Sequence, residues 1–300
     1  MSRGAVQAVE HAAEAPVPLP AGHVCEIWGV LNITPDSFSD AGLFLDPGAA
    51  LARAEAMLRE GAQVIDVGGE SSRPAGACYG EGFSEVPVAE ELERVTPVVR
   101  ALAHGGHRVS VDTVKPEVAR AALHEGAQII NDVSCGRSHE LLDVVAQAGS
   151  ELVLMHTRGR GEVEPPFSVY ADVVQDVLTE LELAAQRAQR AGVARSKIWF
   201  DPGLGFAKTA AQSLSLLAAL PTLVAAGPRV LVGSSRKSFL ARFGSARDGA
   251  RPAPGERLPA SLASVLASAR AGAQAVRVHD VAEAWQALSF DRALNEARTR

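Results

Sequence analysis

Six short apolar runs in this chain end on a residue that can do chemistry. Asn32 closes one, Asp112 another, and Asn131-Asp132, His156, Asp201 and the pair Arg277 and His279 close four more. Two further runs empty into Gly68-Gly69-Glu70-Ser71-Ser72-Arg73 and Gly233-Ser234-Ser235-Arg236-Lys237. Paired acids such as Asp112 and Asp201 can exchange protons, ligate a metal, or accept hydrogen bonds from the N–H edge of a heterocycle. Each can also do no more than cap a following helix, and Asp112 before Thr-Val-Lys-Pro suits that role. A histidine closing an apolar strand, as His156 does, is as well read as a satisfied core residue as a ligand.

The cations are more pointed. Only four lysines occur, Lys115, Lys197, Lys208 and Lys237, and all but Lys197 fall just after apolar runs. Lys237 follows a Gly-Ser-Ser turn and opens a helical pattern, where backbone N–H groups favour an anion. With Arg236 beside it, that turn reads as a carboxylate or phosphate seat.

What must position these residues is a repeated phrase: helix, Gly, short apolar strand. Glu-Gly-Ala-Gln at 60–63 and 125–128 and Ala-Gly-Ala-Gln at 271–274 each lead into such a run, and Gly149 and Gly192 mark looser versions. Glycine there ends a helix in the left-handed conformation at least cost. Near-continuous apolar strands belong to a parallel sheet covered on both faces. Eight strands are expected, near 24–31, 63–68, 107–112, 127–132, 151–156, 197–201, 229–234 and 274–279. Helical patterns run over 47–60, 88–104, 115–125, 169–190 and 282–298. Eight βα units predict an α/β fold, a single (β/α)8 TIM barrel over 23–300, preceded by a flexible tail at 1–22. A doubly wound sheet fits less well, because the spacing is even and no G-x-G-x-x-G follows the first strand. A barrel gathers its strand ends at one rim, so the polar residues above share a site.

Composition narrows the partners. At 300 residues, 47% hydrophobic and 21% charged, the chain can bury a large core, and a net charge of −6 argues against a nucleic-acid surface. No apolar run is long enough to span a bilayer. The N-terminal stretch lacks the apolar segment of a secretory signal. Three widely spaced cysteines, Cys25, Cys78 and Cys135, give no disulfide framework or zinc site and suit a cytoplasmic protein.

In chain order, the strand-end motifs resemble those of dihydropteroate synthases, members of the pterin-binding family. They are Gly-Val-Leu-Asn-Ile-Thr-Pro-Asp-Ser-Phe-Ser-Asp at 29–40, Ile-Asp-Val-Gly-Gly-Glu-Ser-Ser-Arg-Pro at 65–74, Ser-Val-Asp-Thr at 110–113 and Ile-Asn-Asp-Val at 130–133. Met-His at 155–156, Asp-Pro-Gly-Leu-Gly-Phe at 201–206, Val-Gly-Ser-Ser-Arg-Lys-Ser at 232–238 and Arg-Val-His-Asp at 277–280 complete the series, which spans about 24–290. The resemblance implies a folate-pathway transferase joining 6-hydroxymethyl-7,8-dihydropterin diphosphate to 4-aminobenzoate, with release of diphosphate. It implies Asn32 as a contact of Mg2+, and Ser72, Arg73, Arg277 and His279 as the diphosphate grip, with Arg73, Lys237 and His279 catalytic. Asp112, Asn131 and Asp201 would read the pterin edge, with Phe206 and Lys237 alongside. Ser238 would take the aminobenzoate carboxylate, and Phe38 and Pro74 would close over its ring. A homodimer and sensitivity to sulfonamides belong to the same expectation.

The chain departs from the family pattern at Ser72, where Thr is usual, at the extra Ala75, in a lengthened 78–86 and in 157–166. It departs again at Ala207, where glycine is common. Two other readings use a pterin barrel: a methyltetrahydrofolate–corrinoid methyltransferase, which needs neither the first loop nor the Ser-Arg-Lys-Ser turn, and a non-catalytic pterin-binding paralogue.

Overall fold

The computed structural model describes residues 25–34, 46–70, 86–159, 165–245 and 249–299. Eight parallel strands close into a barrel in chain order, β1 (Glu26–Asn32), β2 (Val64–Gly68), β3 (Arg108–Asp112), β4 (Ile129–Asp132), β5 (Glu151–Met155), β6 (Ile198–Asp201), β7 (Arg229–Val232) and β8 (Ala275–Val278). Closure is made by β1 against β8, with Glu26 in register with Ala275 and Gly29 with Val278. Ten helices cover the barrel among the described residues. They are α1 (Pro47–Glu60), α2 (Val88–His104), α3 (Pro116–His124), α4 (His139–Ala148), α5 (Val173–Arg190), α6 (Ala210–Ala218), α7 (Leu220–Ala225), α8 (Ser238–Phe243), α9 (Leu258–Arg270) and α10 (Val281–Thr299).

The first unit shows why these residues fold this way. Asp46 caps α1 by accepting from Ala49 N at 3.1 Å, and Pro47 takes the first helical position, where its missing N–H costs nothing. Ala50, Ala54 and Met57 then line one face and bury against the strands. Gly61 ends the helix at φ +112, and a Cβ there would lie 2.5 Å from the Trp285 ring, so both conformation and close approach demand glycine. Gly126, Gly149, Gly192 and Gly272 repeat the left-handed conformation after their own helices. All eight expected strands are present. Helix α5 starts at Val173 rather than 169, because Asp172 caps it by accepting from Val174 N and Gln175 N.

Two apolar cores result. One lies between strands and helices, and the other fills the barrel: Trp28, Val64, Ile129, Val153, Trp199, Leu231 and Ala275. The two indoles meet edge to face with centroids 5.1 Å apart. Beneath them the amino-terminal end is plugged by ions. Arg108 pairs with Glu26 at 2.8 Å and Arg229 with Glu151 at 2.9 Å, while Trp28 Nε1 and Trp199 Nε1 donate to Glu26 and Glu151. Among the described residues the barrel is therefore closed by ion pairs at its amino-terminal end and filled with apolar side chains in the middle.

Candidate active site

Side chains two residues apart on a strand share a face. Two residues beyond Val64, Ile129, Trp199 and Ala275 of the apolar floor stand Asp66, Asn131, Asp201 and Arg277, so a polar layer rests directly on a dry one. Arg277 ties that layer together. Its Nε donates to Asp66 at 2.5 Å and its Nη2 to Asp112 at 3.2 Å, while Asn131 Nδ2 donates to the same Asp66 oxygen at 3.4 Å. The other oxygen of Asp66, Asn131 Oδ1 and Ser110 Oγ are buried with no hydrogen-bond partner among the described residues. An unpaired buried polar atom costs about 1–3 kcal/mol, so three in one layer is the signature of a ligand site.

Lys237 reaches the same place from the turn after β7. A Cβ built on Gly233 would lie 3.6 Å from Asp201 Oδ2, 3.8 Å from Lys237 Nζ and 3.9 Å from Arg277 Cβ. One built on Gly68 would lie 3.5 Å from Asn32 Oδ1 and 3.7 Å from Asp112 Cβ. The Lys237 ammonium also sits 4.7 Å above the centre of the Phe206 ring.

Burial over a dry floor shifts the acids and the amine toward neutrality. The Asp112 carboxyl is pushed up to about 7, by burial first, with Arg277 pulling it down and Asp66 pushing it further up. Asp201 is raised by burial against the opposing pull of Lys237. Burial brings Lys237 down to about 8, and Asp201 works against it. Arg277 moves the other way: burial disfavours its charge, but Asp66 and Asp112 more than offset this. Asp112 and Lys237, poised within about a unit of neutral pH beside unpaired buried polar atoms, are groups of a working site.

Sequence similarity agrees with the geometry. The profile of a family described as "Pterin binding enzyme" matches residues 28–279. The dihydropteroate synthase of Mycobacterium leprae is 46% identical over 267 residues, covering 88% of this chain and 91% of its own length. The chain belongs to the dihydropteroate synthase family of pterin-binding enzymes. The same name is carried by a Staphylococcus haemolyticus protein, 42% identical over 85% of this chain and 90% of its own. Among solved structures, the Xanthomonas albilineans dihydropteroate synthase with 4-aminobenzoic acid superposes with a TM-score of 0.80 at 40% identity, covering 90% of this chain and 93% of its own. The Yersinia pestis dihydropteroate synthase in a sulfonamide drug complex does so at 0.82 and 37%, covering 91% and 94%. Family membership makes the chain a transferase, a dihydropteroate synthase by activity.

The structure brings together Asp112, Asn131, Asp201, Lys237, Arg277 and Phe206, with Asn32 beside Asp112. His279 stands at the rim, where its ring Nδ1 lies 3.1 Å from Ser235 Oγ and its backbone N–H donates to the same oxygen at 3.2 Å. Ser238 is the first residue of α8, whose N-cap is Lys237. Ser72, Arg73, Phe38 and Pro74 lie outside the described residues.

Several readings of single residues change. Asp112 does not cap α3, which starts at Pro116 with Lys115 as its N-cap. His156 is the satisfied core residue of the two alternatives, wholly buried between Glu180 and Lys208. Of Lys115, Lys208, Arg236 and Lys237, three point elsewhere. Lys115 is held by Glu70, Glu91 and the Val86 carbonyl, Lys208 is buried against backbone carbonyls, and Arg236 pairs with Asp280. Only Lys237 joins the layer. Ala207 sits at φ +49, the backbone conformation that makes glycine common there. Asp66 was missed because it lies inside a strand rather than at its end. Its signal was an acid in the apolar run Val-Ile-Asp-Val, two residues beyond a barrel-filling valine.

Proposed function

We propose that this layer holds the ring of 6-hydroxymethyl-7,8-dihydropterin diphosphate and that the rim above it draws off the diphosphate while 4-aminobenzoate takes its place. The observation that carries this is the set of unpaired buried polar atoms on Asp66, Ser110 and Asn131 above an apolar floor. A flat heterocycle with alternating N–H donors and ring acceptors is the ligand such a layer fits. Titration of the wild-type protein with a dihydropterin tests the site alone.

In the reaction the bond from the pterin methylene to a diphosphate oxygen breaks, and the electron pair leaves with diphosphate. The electron-rich dihydropterin supports the cationic carbon, the aromatic amine donates its lone pair to form the C–N bond, and the ammonium then sheds one proton. Asp112, Asn131 and Asp201 orient the ring, while Arg277 and Lys237 place positive charge where negative charge departs. Arg73, Ser72 and His279 are proposed to complete the diphosphate grip through charge-assisted hydrogen bonds. The Ser238 hydroxyl is proposed to receive the aminobenzoate carboxylate, with Phe38 and Pro74 over its ring.

Asn32 offers a single amide oxygen beside Asp112, and no group of three or more His, Cys, Asp or Glu capable of holding a metal occurs among the described residues. That donor set suits Mg2+ arriving on the diphosphate and keeping several waters, with Asn32 as one ligand. Bound there, such an ion would neutralise charge on the leaving group.

We place the protein in the cytoplasm, a setting that suits its two described free cysteines, Cys25 and Cys135. No helix among the described residues is long and apolar enough to cross a membrane. A homodimer is proposed through the outer helices. The exposed Phe243 of α8 and the apolar groove it shares with α6 and α9 support that face.

The test is diphosphate release by purified protein with magnesium, read together with mass detection of 7,8-dihydropteroate. Release should require both substrates. Release without 4-aminobenzoate, or binding of the pterin with no product, would favour hydrolysis or the non-catalytic reading.

A further inference from the structure

The site as described leaves one buried cation without a role. Lys208 is 1% exposed, and its Nζ lies 2.8 Å from His156 Nδ1, 2.9 Å from Phe206 O, 3.1 Å from Gly203 O and 3.2 Å from His156 O. Glu180 is held as a carboxylate and only accepts, so His156 Nε2, 3.0 Å from it, carries the ring proton and the bare Nδ1 accepts from Lys208, which burial itself brings down to about 7. Burial, then the Lys208 charge, holds His156 down to about 4, which keeps that tautomer at neutral pH. With its donors taken up by protein atoms, Lys208 is not placed to grip substrate.

Its acceptors have a common address. His156 follows β5, while Gly203 and Phe206 form the turn after β6 that carries the residues next to Asp201. That turn is wound tightly: Gly203 N donates to Asp201 Oδ1 at 2.7 Å, and Phe206 N donates to Gly203 O at 3.0 Å. Gly203 has φ +62, and a Cβ there would stand 1.9 Å from His156 O, so the two loops touch backbone to backbone. On the far side, Tyr170 Oη donates to Ala207 O at 3.0 Å. The ring that emerges from this turn is Phe206, under the Lys237 ammonium.

We propose that Lys208 is a positioning residue for the pterin end of the site: its Nζ donors clip the turn after β6 to the end of β5 and so set Phe206 and Asp201 relative to Lys237. The inference rests on the functional reading above. It separates from a plain folding role because it acts on one half of one substrate. Nothing Lys208 touches belongs to the proposed diphosphate grip.

Lys208→Met removes every donor at similar length, and Lys208→Gln keeps two N–H donors on a shorter arm. Fold is checked by circular dichroism and melting, and ligands are titrated calorimetrically with a dihydropterin lacking the diphosphate arm and, separately, with inorganic diphosphate. The expected result for folded Lys208→Met is at least tenfold weaker pterin binding and a matching rise in KM for the dihydropterin diphosphate. Inorganic diphosphate should bind within twofold of wild type, and Lys208→Gln should fall between the two. If Lys208→Met does not fold, Lys208→Gln decides by the same criteria.

Pterin binding within twofold of wild type in a folded variant overturns the proposal, as does an equal loss of both ligands. Wild-type protein that fails to bind the pterin fragment brings down the site reading itself, and this proposal with it. A site confirmed by loss of pterin binding in Asp112→Asn, but indifferent to Lys208, sinks this proposal alone.

Discussion

At the scale of single residues, the site is a set of groups kept near their switching points by burial. Asp112 is raised to about 7 and Lys237 lowered to about 8, both by desolvation first. The sign of each shift sets a limb of the pH profile. A carboxylate that accepts from the pterin edge is lost below its raised pKa, and an ammonium that favours a departing anion is lost above its lowered one. We expect kcat/KM for the dihydropterin diphosphate to be bell-shaped, with apparent limbs near 7 and 8 that report the free enzyme. The acid limb belongs to Asp112, whose carboxyl shares the Arg277 guanidinium with Asp66. Lys237→Arg should carry the alkaline limb beyond pH 10, and Asp112→Asn should remove the acid limb from whatever activity survives. A profile flat from 6 to 9 in the wild type contradicts this assignment.

At the scale of elements, one side chain ties a βα unit to its neighbours. Lys115, at the start of α3, bonds Glu70 just after β2, the Val86 carbonyl just before α2, and Glu91 within α2. The Glu91 side chain is fully buried, and Lys115 is the cation its Oε2 meets. Lys115→Met should destabilise the protein by about 3–5 kcal/mol, because it leaves a buried carboxylate unpaired. Lys115→Met combined with Glu91→Leu should recover most of that loss. Denaturant melts of the single and double variants check it, and a single-variant loss under about 1 kcal/mol would mean the pair is screened after all.

This contact also shows what could be read from the chain and what could not. The strands were legible because a buried parallel strand must be apolar and a helix ending in glycine announces the next one. The rim acids were legible because a barrel puts strand ends in one place. Side-chain direction was not: Lys115, Lys208 and Lys237 each follow a strand end by a few residues, yet one clamps helices, one is sealed in the interior and one faces the layer. A long flexible side chain goes where acceptors are, and acceptors such as Glu91 and the Phe206 carbonyl come together only in three dimensions. Asp66 was hidden for the opposite reason, since its position is set by strand parity rather than by strand end.

At the scale of the whole molecule, the barrel has two polar ends with an apolar floor between them, and they should answer to mutation in opposite ways. At the amino end Glu151 accepts from Trp199 Nε1 at 2.6 Å and from Arg229 at 2.9 Å, so its bonds are satisfied by the protein itself. At the carboxyl end Asp112 is buried with a raised pKa and shares its guanidinium with Asp66. Polar groups held for a ligand are a burden on the free fold, whereas those paired internally support it. Glu151→Gln should therefore lower Tm by a few degrees, the equivalent of about 1–2 kcal/mol, and leave kcat/KM within twofold. Asp112→Asn should leave Tm unchanged or raised while kcat/KM falls about a hundredfold or more, since Arg277 keeps Asp66 and the buried acid no longer has to ionise. Melting and kinetics on the same two variants decide the matter. If Asp112→Asn loses stability and activity together, or Glu151→Gln loses activity without stability, the division of this barrel into a supporting end and a working end is wrong.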